Sequence, residues 1–526
     1  MKKQSNHWAD STAEKIIRQK GDKDVYVCAS GITPSGTVHI GNFREIISVE
    51  LVVRALRDLG KKVRFIYSWD DYDVFRKVPK NMPEQELLAT YLRKPITLVP
   101  DTQSGYESYA EANEKELEAL LPQVGVEPEY IYQASRYRSS YYAQGIRTAL
   151  EKREVIRRLL NEHRTQPLPD DWWPVSVFST FTDRDNTTVL AWDGEWGLTY
   201  RCEDSGREET IDLRNTPAAK LPWRIDWPMR WQKESVDFEP AGKDHHSEGG
   251  SFDTGRKIVA EVYGGESPVT FQYDFIRIKG RGGKISSSSG EVIGLPEVLE
   301  IYQPEVIRYL FAGTRPNSEF AISFDLDVLK IYEDYDKCER IHFGEQEVGE
   351  KKRLKESRIY ELSQIHGVPE KMPVQIPFRH LCNLLQINSG DVEAVIGMYE
   401  LDAEQKRRLG IRATCAWNWI TRFSPEDFRF RLQHQEDPLL DLSEQEKSVL
   451  TGLREEVARL DQHDEKSFGT RLYDIAEQNG MDARELFVLV YRILIGKEKG
   501  PRLAGFILTV GMEKILEILD RYQLAD

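Results

Sequence analysis

The chain has 526 residues, 40% of them hydrophobic, which is more than one hydrophobic core usually serves, so about two to four domains are expected. No apolar run of about eighteen residues is present and the start, Met1 to Lys20, is polar and charged, so a membrane partner and a signal peptide are not expected and the expected location is cytoplasmic. The formal net charge of −15 neither suggests nor excludes a nucleic acid, because a ligand responds to the local field and an acidic protein can carry one basic groove.

In chain order, a β-rich run (Val25 to Ser30) is followed by a Gly/Pro/Ser/Thr loop (Gly31 to Gly36), a mostly apolar segment (Phe43 to Leu59) stopped by Gly60, and a second β-like run (Val63 to Tyr67). Strand, glycine-containing loop, helix and strand read as a βαβ unit, whose parallel strands put a ligand at their carboxyl ends. There lies a first signature, Pro34, Ser35, Gly36, Thr37, Val38, His39, Ile40, Gly41, Asn42. Its glycines let the backbone approach a nucleotide, the helix N-terminus offers N–H groups to phosphate, and His39 and Asn42 add side-chain donors. Standing alone, so short a match is more often an ordinary turn with a structural histidine.

Helical material (Pro83 to Leu121, Tyr141 to Asn161) leads to a Pro/Trp-rich boundary at Pro167 to Pro174, and short β-like runs between Trp172 and Arg214 predict a small β insertion. Trp223, Trp227 and Trp231 then fall at i, i+4 and i+8, a helical stripe. The run Val269 to Ile278 restores the sheet-like pattern, so the nucleotide domain is expected in two halves. A second signature follows: Gly282, Gly283, Lys284, Ile285, Ser286, Ser287, Ser288, Ser289, Gly290, able to bring a cation and hydroxyls to a polyphosphate, though equally a Gly/Ser linker when read alone. After Asp325 the sequence is helical, with helix starts expected at Ser424, Ser443 and Asp482, each three residues before an acid. The five cysteines are far apart and form no C-x-x-C pair, which argues against disulfides and a thiolate zinc site.

Together the signatures resemble the paired HIGH and KMSKS motifs of class I aminoacyl-tRNA synthetases, in the family's order. Asn42 stands where the second histidine would be, and Ser287 where the second lysine often is, leaving Lys284 as the lysine of that motif. In the glutamate enzymes of this class an arginine lies ten residues before the HIGH histidine; here Ala29 occupies that place. The runs "ASGITPSGTVHIGNFREI", "SWDDYDVFRKVP", "LPWRIDWPMRW", "GKDHHSEGGSFDTG" and "FQYDFI" are similar to the class I lysyl-tRNA synthetases, from about residue 20 to the end.

That resemblance implies a Rossmann-type, doubly wound parallel α/β sheet split by a small β insertion and followed by an all-α anticodon-binding region. The implied division is 1–165 and 223–325 for the two halves of the catalytic domain, 166–222 for the insertion, 326–400 for a helical stem-contact region and 401–526 for the anticodon domain. It implies L-lysine, ATP and lysine tRNA as substrates, Mg²⁺ carried on ATP, no structural zinc and a monomer. Catalysis would fall to His39, Asn42, Lys284 and Ser286, Ser287 and Ser288, with Pro34 to Val38, Ile40, Gly41 and Ile285 around ATP. Gly31, Thr33, Trp223, His245 and Tyr273 would form the lysine pocket, to which we add Asp71 for the ammonium, with Asp70 and Asp73 as competitors. Arg407, Arg408, Arg412, Trp417, Trp419, Lys497, Lys499 and Arg502 are weaker candidates for tRNA, equally readable as surface charges beside core tryptophans. A class I synthetase for arginine or glutamine, a small-metabolite nucleotidyltransferase, which the helical C-terminus argues against, and a non-catalytic tRNA-binding relative are the alternatives.

Overall fold

The computed structural model describes residues 7–80, 82–279 and 293–522. The second signature therefore lies outside the described residues, and with it Lys284, Ile285, Ser286, Ser287 and Ser288.

Helix α1 (Trp8–Lys20) precedes strand β1 (Tyr26–Ile32), helix α2 (Ile40–Asp58) and strand β2 (Val63–Trp69). β1 and β2 run parallel in the register Tyr26–Val63 to Ile32–Trp69, and β3 (Glu129–Tyr132) joins β2 in parallel. Beyond β1, parallel bridges link Cys28 to Phe238 and Phe238 to Val269, and Ala241–Gly242 pairs with Gln272–Tyr273. Five segments thus lie side by side in the order β3, β2, β1, the segment at Phe238 and the segment at Val269. Tyr26 to Ser30 are all buried, which fits a strand covered on both faces and explains its apolar, non-alternating sequence.

At the outer edge Pro268 has no N–H to offer, while Lys15 and Lys20 donate to the carbonyls of Thr270 (3.4 Å) and Ser267 (2.9 Å). These contacts close an edge that would otherwise invite strand pairing. They also account for Lys15 beside a surface cavity of ≈ 620 Å³ between α1 and the helix Ser251–Glu261.

The insertion is an antiparallel meander, Thr187–Trp192, Gly197–Cys202 and Glu208–Asp212, beside the pair Ser176–Val177 and Ala219–Lys220. Asp193 shapes its first turn, accepting from the N–H groups of Glu195 (2.7 Å) and Gly197 (3.0 Å) ahead of Gly194 in the left-handed region. Leu198, Tyr200, Cys202 and Ile211 bury against the helices Ala143–Glu151 and Arg153–Asn161, so packing holds the insertion in place.

From Asp327 the described chain is helical. Ser443 starts the helix Glu444–Val457 with a capping box closed by Glu446, and Asp482 caps Ala483–Ile495 through the N–H of Arg484 (2.8 Å). Ser424 does not start an α-helix. Its hydroxyl turns back to the carbonyl of Ile420 (2.8 Å), and Glu426–Phe428 forms a single 3₁₀ turn. The helix Ala403–Arg422 packs Ala413, Ala416, Trp419 and Ile420 into the core that contains the sheet, whereas a second core runs from Leu432 and Val449 to Leu519. No described helix is long and apolar enough to cross a membrane.

Candidate functional site

His39 precedes the first turn of α2, and its Nδ1 accepts from the N–H of Asn42 (3.2 Å). Burial lowers its pKa, so the ring is neutral near pH 7; with Nδ1 accepting, the proton sits on Nε2, where it can be donated. Gly41 is required here, because a Cβ would stand 2.9 Å from the His39 ring. The loop before it is pinned by the helix Tyr109–Leu120: Tyr109 donates to the Ser35 carbonyl (2.9 Å) and Asn113 to that of Pro34 (3.5 Å). The N–H of Ile40 donates to the carbonyl of Ile293 (2.9 Å), and His39 bridges Gly294. The described residues just after the second signature therefore lie against the first, although more than 240 residues separate them in sequence.

A cavity of ≈ 380 Å³ opens at the carboxyl ends of β1 and β2. Gly31 forms part of its wall; a Cβ there would come 2.7 Å from the Ser68 carbonyl. Trp223 and Trp227 stack at 4.8 Å and 18°, and Trp227 meets His245 edge-on at 5.7 Å. His245 Nδ1 lies 2.5 Å from Ser251 Oγ, and burial lowers the pKa of the ring. His246 turns the other way, with Nε2 3.3 Å from Thr270 Oγ1, at the edge cavity.

Two carboxylates in the wall carry no cationic partner among the described residues. Glu45, on α2, accepts from Ser30 Oγ (2.8 Å), from the N–H of Gly31 (3.3 Å) and from the hydroxyl of Tyr273. Glu239 accepts from the indole N–H of Trp231 (2.6 Å). Burial raises both, Glu239 to about 7 with a further push from the charge of Glu45. Asp70, by contrast, is paired with Arg230 at 2.6 Å.

Asp71 is not in this wall. Its carboxylate is buried behind it, accepts from the N–H of Ala134 (2.7 Å) and is pushed up to about 6 by burial. The alternation of side chains at the end of β2 is the reason: Ser68 and Asp70 face the cavity while Asp71 turns to the start of the helix Gln133–Arg138, which follows β3. Asp73 faces Arg76 (3.3 Å) and Lys220 (3.6 Å). Thr33 sits in the loop leaving β1, where its carbonyl accepts from the N–H of Ser35 (2.8 Å).

A family model described as tRNA synthetases class I (K) matches residues 6–366. The chain belongs to that family. It is 54% identical to the lysine–tRNA ligase of Borreliella burgdorferi over 518 residues, 98% of this chain and 99% of that one. It is 53% identical to the lysine–tRNA ligase of Treponema pallidum and 40% identical to that of Pyrococcus horikoshii, again over 98% of this chain and 99% of each relative.

Within this class I synthetase, the sequence-derived tRNA candidates divide by burial. Trp419 is fully buried and donates to the Phe324 carbonyl (3.0 Å); Arg412 is buried, pairs with Asp336 at 2.6 Å and lies over the Tyr332 ring. Neither can meet RNA, because the face of the helix Ala403–Arg422 that carries them packs into the first core. Arg408 pairs with buried Glu339 (3.3 Å), and Trp417 is partly buried above Gly390. Arg407, on Glu404 (2.6 Å), and Lys499 and Arg502 are exposed, while Lys497 donates to the Glu426 carbonyl (2.7 Å).

Sequence reasoning missed Glu45, Glu239 and Arg230. For two of them a signal existed: Glu45 interrupts the apolar run of α2, and Arg230 lies one helical turn from Asp226 inside a tryptophan-rich helix. Glu239 stands in no recognisable pattern.

Proposed function

We propose that the cavity at the carboxyl ends of β1 and β2 binds L-lysine, and that the loop Pro34 to Val38 with the N-terminus of α2 receives ATP. The reaction is that of a lysine–tRNA ligase: the lysine carboxylate attacks the α-phosphorus of ATP, the α–β phosphoanhydride breaks, and pyrophosphate leaves. The terminal ribose hydroxyl of tRNA, the 2′-hydroxyl in this proposal, then attacks the carbonyl carbon of the lysyl-adenylate and releases AMP.

The observation that carries the amino-acid assignment is the pair Glu45 and Glu239, two carboxylates with no cation paired to them among the described residues, in a cavity walled by Trp223, Trp227 and His245. An ε-ammonium supplies the missing charge, and the indoles cover its aliphatic stem. Gly31, Thr33 and Tyr273 complete the proposed pocket. Asp70 is held by Arg230, and Asp71 is proposed instead as a support for the turn after β2. His39 donates from Nε2 to the phosphates and Asn42 lies beside it; Gly36 and Gly41 keep side chains away from the backbone there, while Ile40, buried with its N–H on the Ile293 carbonyl, fixes the start of α2. Lys284, Ile285 and Ser286 to Ser288 are proposed to act on the same phosphates, a reading supported by the contact of Ile293 and Gly294 with the first signature. Mg²⁺ would enter on the ATP phosphates and neutralise the leaving pyrophosphate.

The parallel bridges from β1 to Phe238 and Val269 support a doubly wound sheet. The separate core from Leu432 onward supports an anticodon-binding unit that begins after the helix Ala403–Arg422. Arg407, Lys499 and Arg502 remain its proposed RNA contacts, and a monomeric, cytoplasmic enzyme is the proposed state. The test is ATP–pyrophosphate exchange with each of the twenty amino acids, with and without bulk tRNA. Exchange with lysine alone, lost in His39→Ala, is expected. Exchange with another amino acid refutes the pocket assignment, and absence of exchange under both conditions refutes the catalytic one.

A further inference from the structure

The cavity wall already contains a guanidinium. Arg230 is buried; its Nη1 donates to Asp70 (2.6 Å) and Ser68 Oγ (2.7 Å), its Nε faces Asp226 at 3.2 Å, and its Cζ lies 5.3 Å from the Trp223 ring centroid. The surroundings hold it rigidly. Asp226 also accepts from the Tyr137 hydroxyl, and Ser68 from Gln133 (2.7 Å), which is itself fixed by Tyr142 (2.9 Å). A planar fork between two carboxylates, with an indole against it, is the arrangement that recognises a guanidinium.

We propose that Arg230 is the specificity-determining residue against arginine: it fills, with the protein's own guanidinium, the Asp70–Asp226 site on which a substrate guanidinium would settle. This rests on the reading of the cavity as the lysine site. The discrimination is needed because lysine and arginine share a positive charge, so carboxylates alone cannot separate them. With Asp70 and Asp226 occupied, the remaining carboxylates of the described wall are Glu45 and Glu239, held by Tyr273 and Trp231. An arginine substrate would bring a second guanidinium against the first, a like-charge contact that lysine avoids by ending in a compact ammonium at the other carboxylates.

The experiment is ATP–pyrophosphate exchange with lysine and with arginine for the wild type, Arg230→Ala, Arg230→Lys and the double variant Arg230→Ala/Asp226→Asn. The double variant guards against loss of folding: Asp70, Asp226 and Arg230 carry one net negative charge, the single Ala variant carries two, and the double variant restores one. In Arg230→Ala the ratio of kcat/KM for arginine to that for lysine rises by about tenfold or more. Guanidinium ion at low millimolar concentration reverses the change, suppressing exchange with arginine and restoring exchange with lysine. Arg230→Lys keeps the positive charge and continues to reject arginine. A merely structural arginine would lower both activities in parallel, so an unchanged ratio in the folded variants overturns the proposal. If the wild type activates an amino acid other than lysine, the lysine reading itself has failed, and that is seen before any variant is measured.

Discussion

In the proposed lysine pocket, Glu239 should make lysine affinity depend on pH, with a sign and size that follow from its surroundings. Its carboxyl is buried, and loss of solvent together with the nearby charge of Glu45 pushes its pKa to about 7, against the N–H of Trp231 that favours the anion. The ε-ammonium of lysine stays charged from pH 6 to 8, so it binds the ionised pocket. For binding to the anion alone, KM scales as one plus the ratio of protonated to ionised Glu239. With a pKa of about 7, that factor is about 1.1 at pH 8 and about 11 at pH 6, a tenfold rise in KM on acidification. Stability carries the matching sign. The folded pKa lies above the unfolded one, so this group's contribution is fully present below about pH 4 and is lost as pH rises through about 7. Lysine, by countering the charge, should therefore raise the melting temperature more at pH 8 than at pH 6. The assay is pyrophosphate exchange at saturating ATP with lysine titrated at pH 6, 7 and 8, on wild type and Glu239→Gln. The variant should show a raised KM at pH 8 and little further change at pH 6. A wild-type KM that moves less than about twofold over this range, or a variant with the wild-type slope, refutes the reasoning.

Three further outcomes follow from the geometry. Gly41→Ala places a Cβ 2.9 Å from the His39 ring, so the imidazole must leave its cap; exchange should fall by about 100-fold or more while the stability loss stays near ~1 kcal/mol by thermal melt. Arg44 is buried and donates to the carbonyls of Asp274 (2.6 Å), Phe275 (3.1 Å), Arg315 (3.1 Å), Pro316 (2.6 Å) and Ser318 (2.7 Å), tying α2 to the segments that lead into the strands Ile276–Lys279 and Phe320–Ser323. Arg44→Met should destabilise the fold by ~3 kcal/mol or more, and Arg44→Lys by less, as denaturant unfolding would report. Glu114 is buried, its Oε1 has no hydrogen-bond partner among the described residues, and burial with the charge of Asp71 pushes it up to about 8. Its ionisation opposes folding as pH rises, so Glu114→Gln should raise the melting temperature at pH 8 and change little at pH 4.

The legible parts of this protein are those in which a local pattern suffices. The run Val25 to Ser30, the loop after it and the apolar helix could be read as a βαβ unit because periodicity and glycine placement are properties of neighbouring residues, and the register Tyr26–Val63 agrees with that reading. The cap at Ser443 was legible for the same reason, as S-x-x-E is a short-range device. Ser424 carries the same spacing and fails because Pro425 follows it and the preceding helix offers the Ile420 carbonyl, so tertiary context overrides the cap. Position along the strand end misled the choice among Asp70, Asp71 and Asp73. Sequence proximity places all three at the pocket, but the pleat sends Asp71 to Ala134, and only the arrival of Arg230, 160 residues later, fixes Asp70. Arg412 and Trp419 looked like RNA contacts because an arginine and a tryptophan on a helix read alike whether they face solvent or core. Their partners, Asp336 and the Phe324 carbonyl, lie 76 and 95 residues away.

Folding brings together the charges around the cavity, in part from positions far apart in the sequence. Glu45 meets Tyr273 across 228 residues, Arg230 meets Asp70 across 160, and Glu239 meets Trp231 and the field of Glu45. Folding brings these groups out of water at a cost that hydrogen bonds offset only in part, which leaves Glu45 and Glu239 raised toward the neutral form. A cation of the right size relieves that cost and so binds where a neutral analogue would not. Arg230 relieves part of the same cost for Asp70 and Asp226, although burial still holds Asp226 above the usual carboxylate range. Two carboxylate pairs thus stand in and behind the cavity wall, Asp70 and Asp226 on Arg230, and Glu45 and Glu239 with no cationic partner among the described residues; in the proposed lysine site that difference would tell an ammonium from a guanidinium.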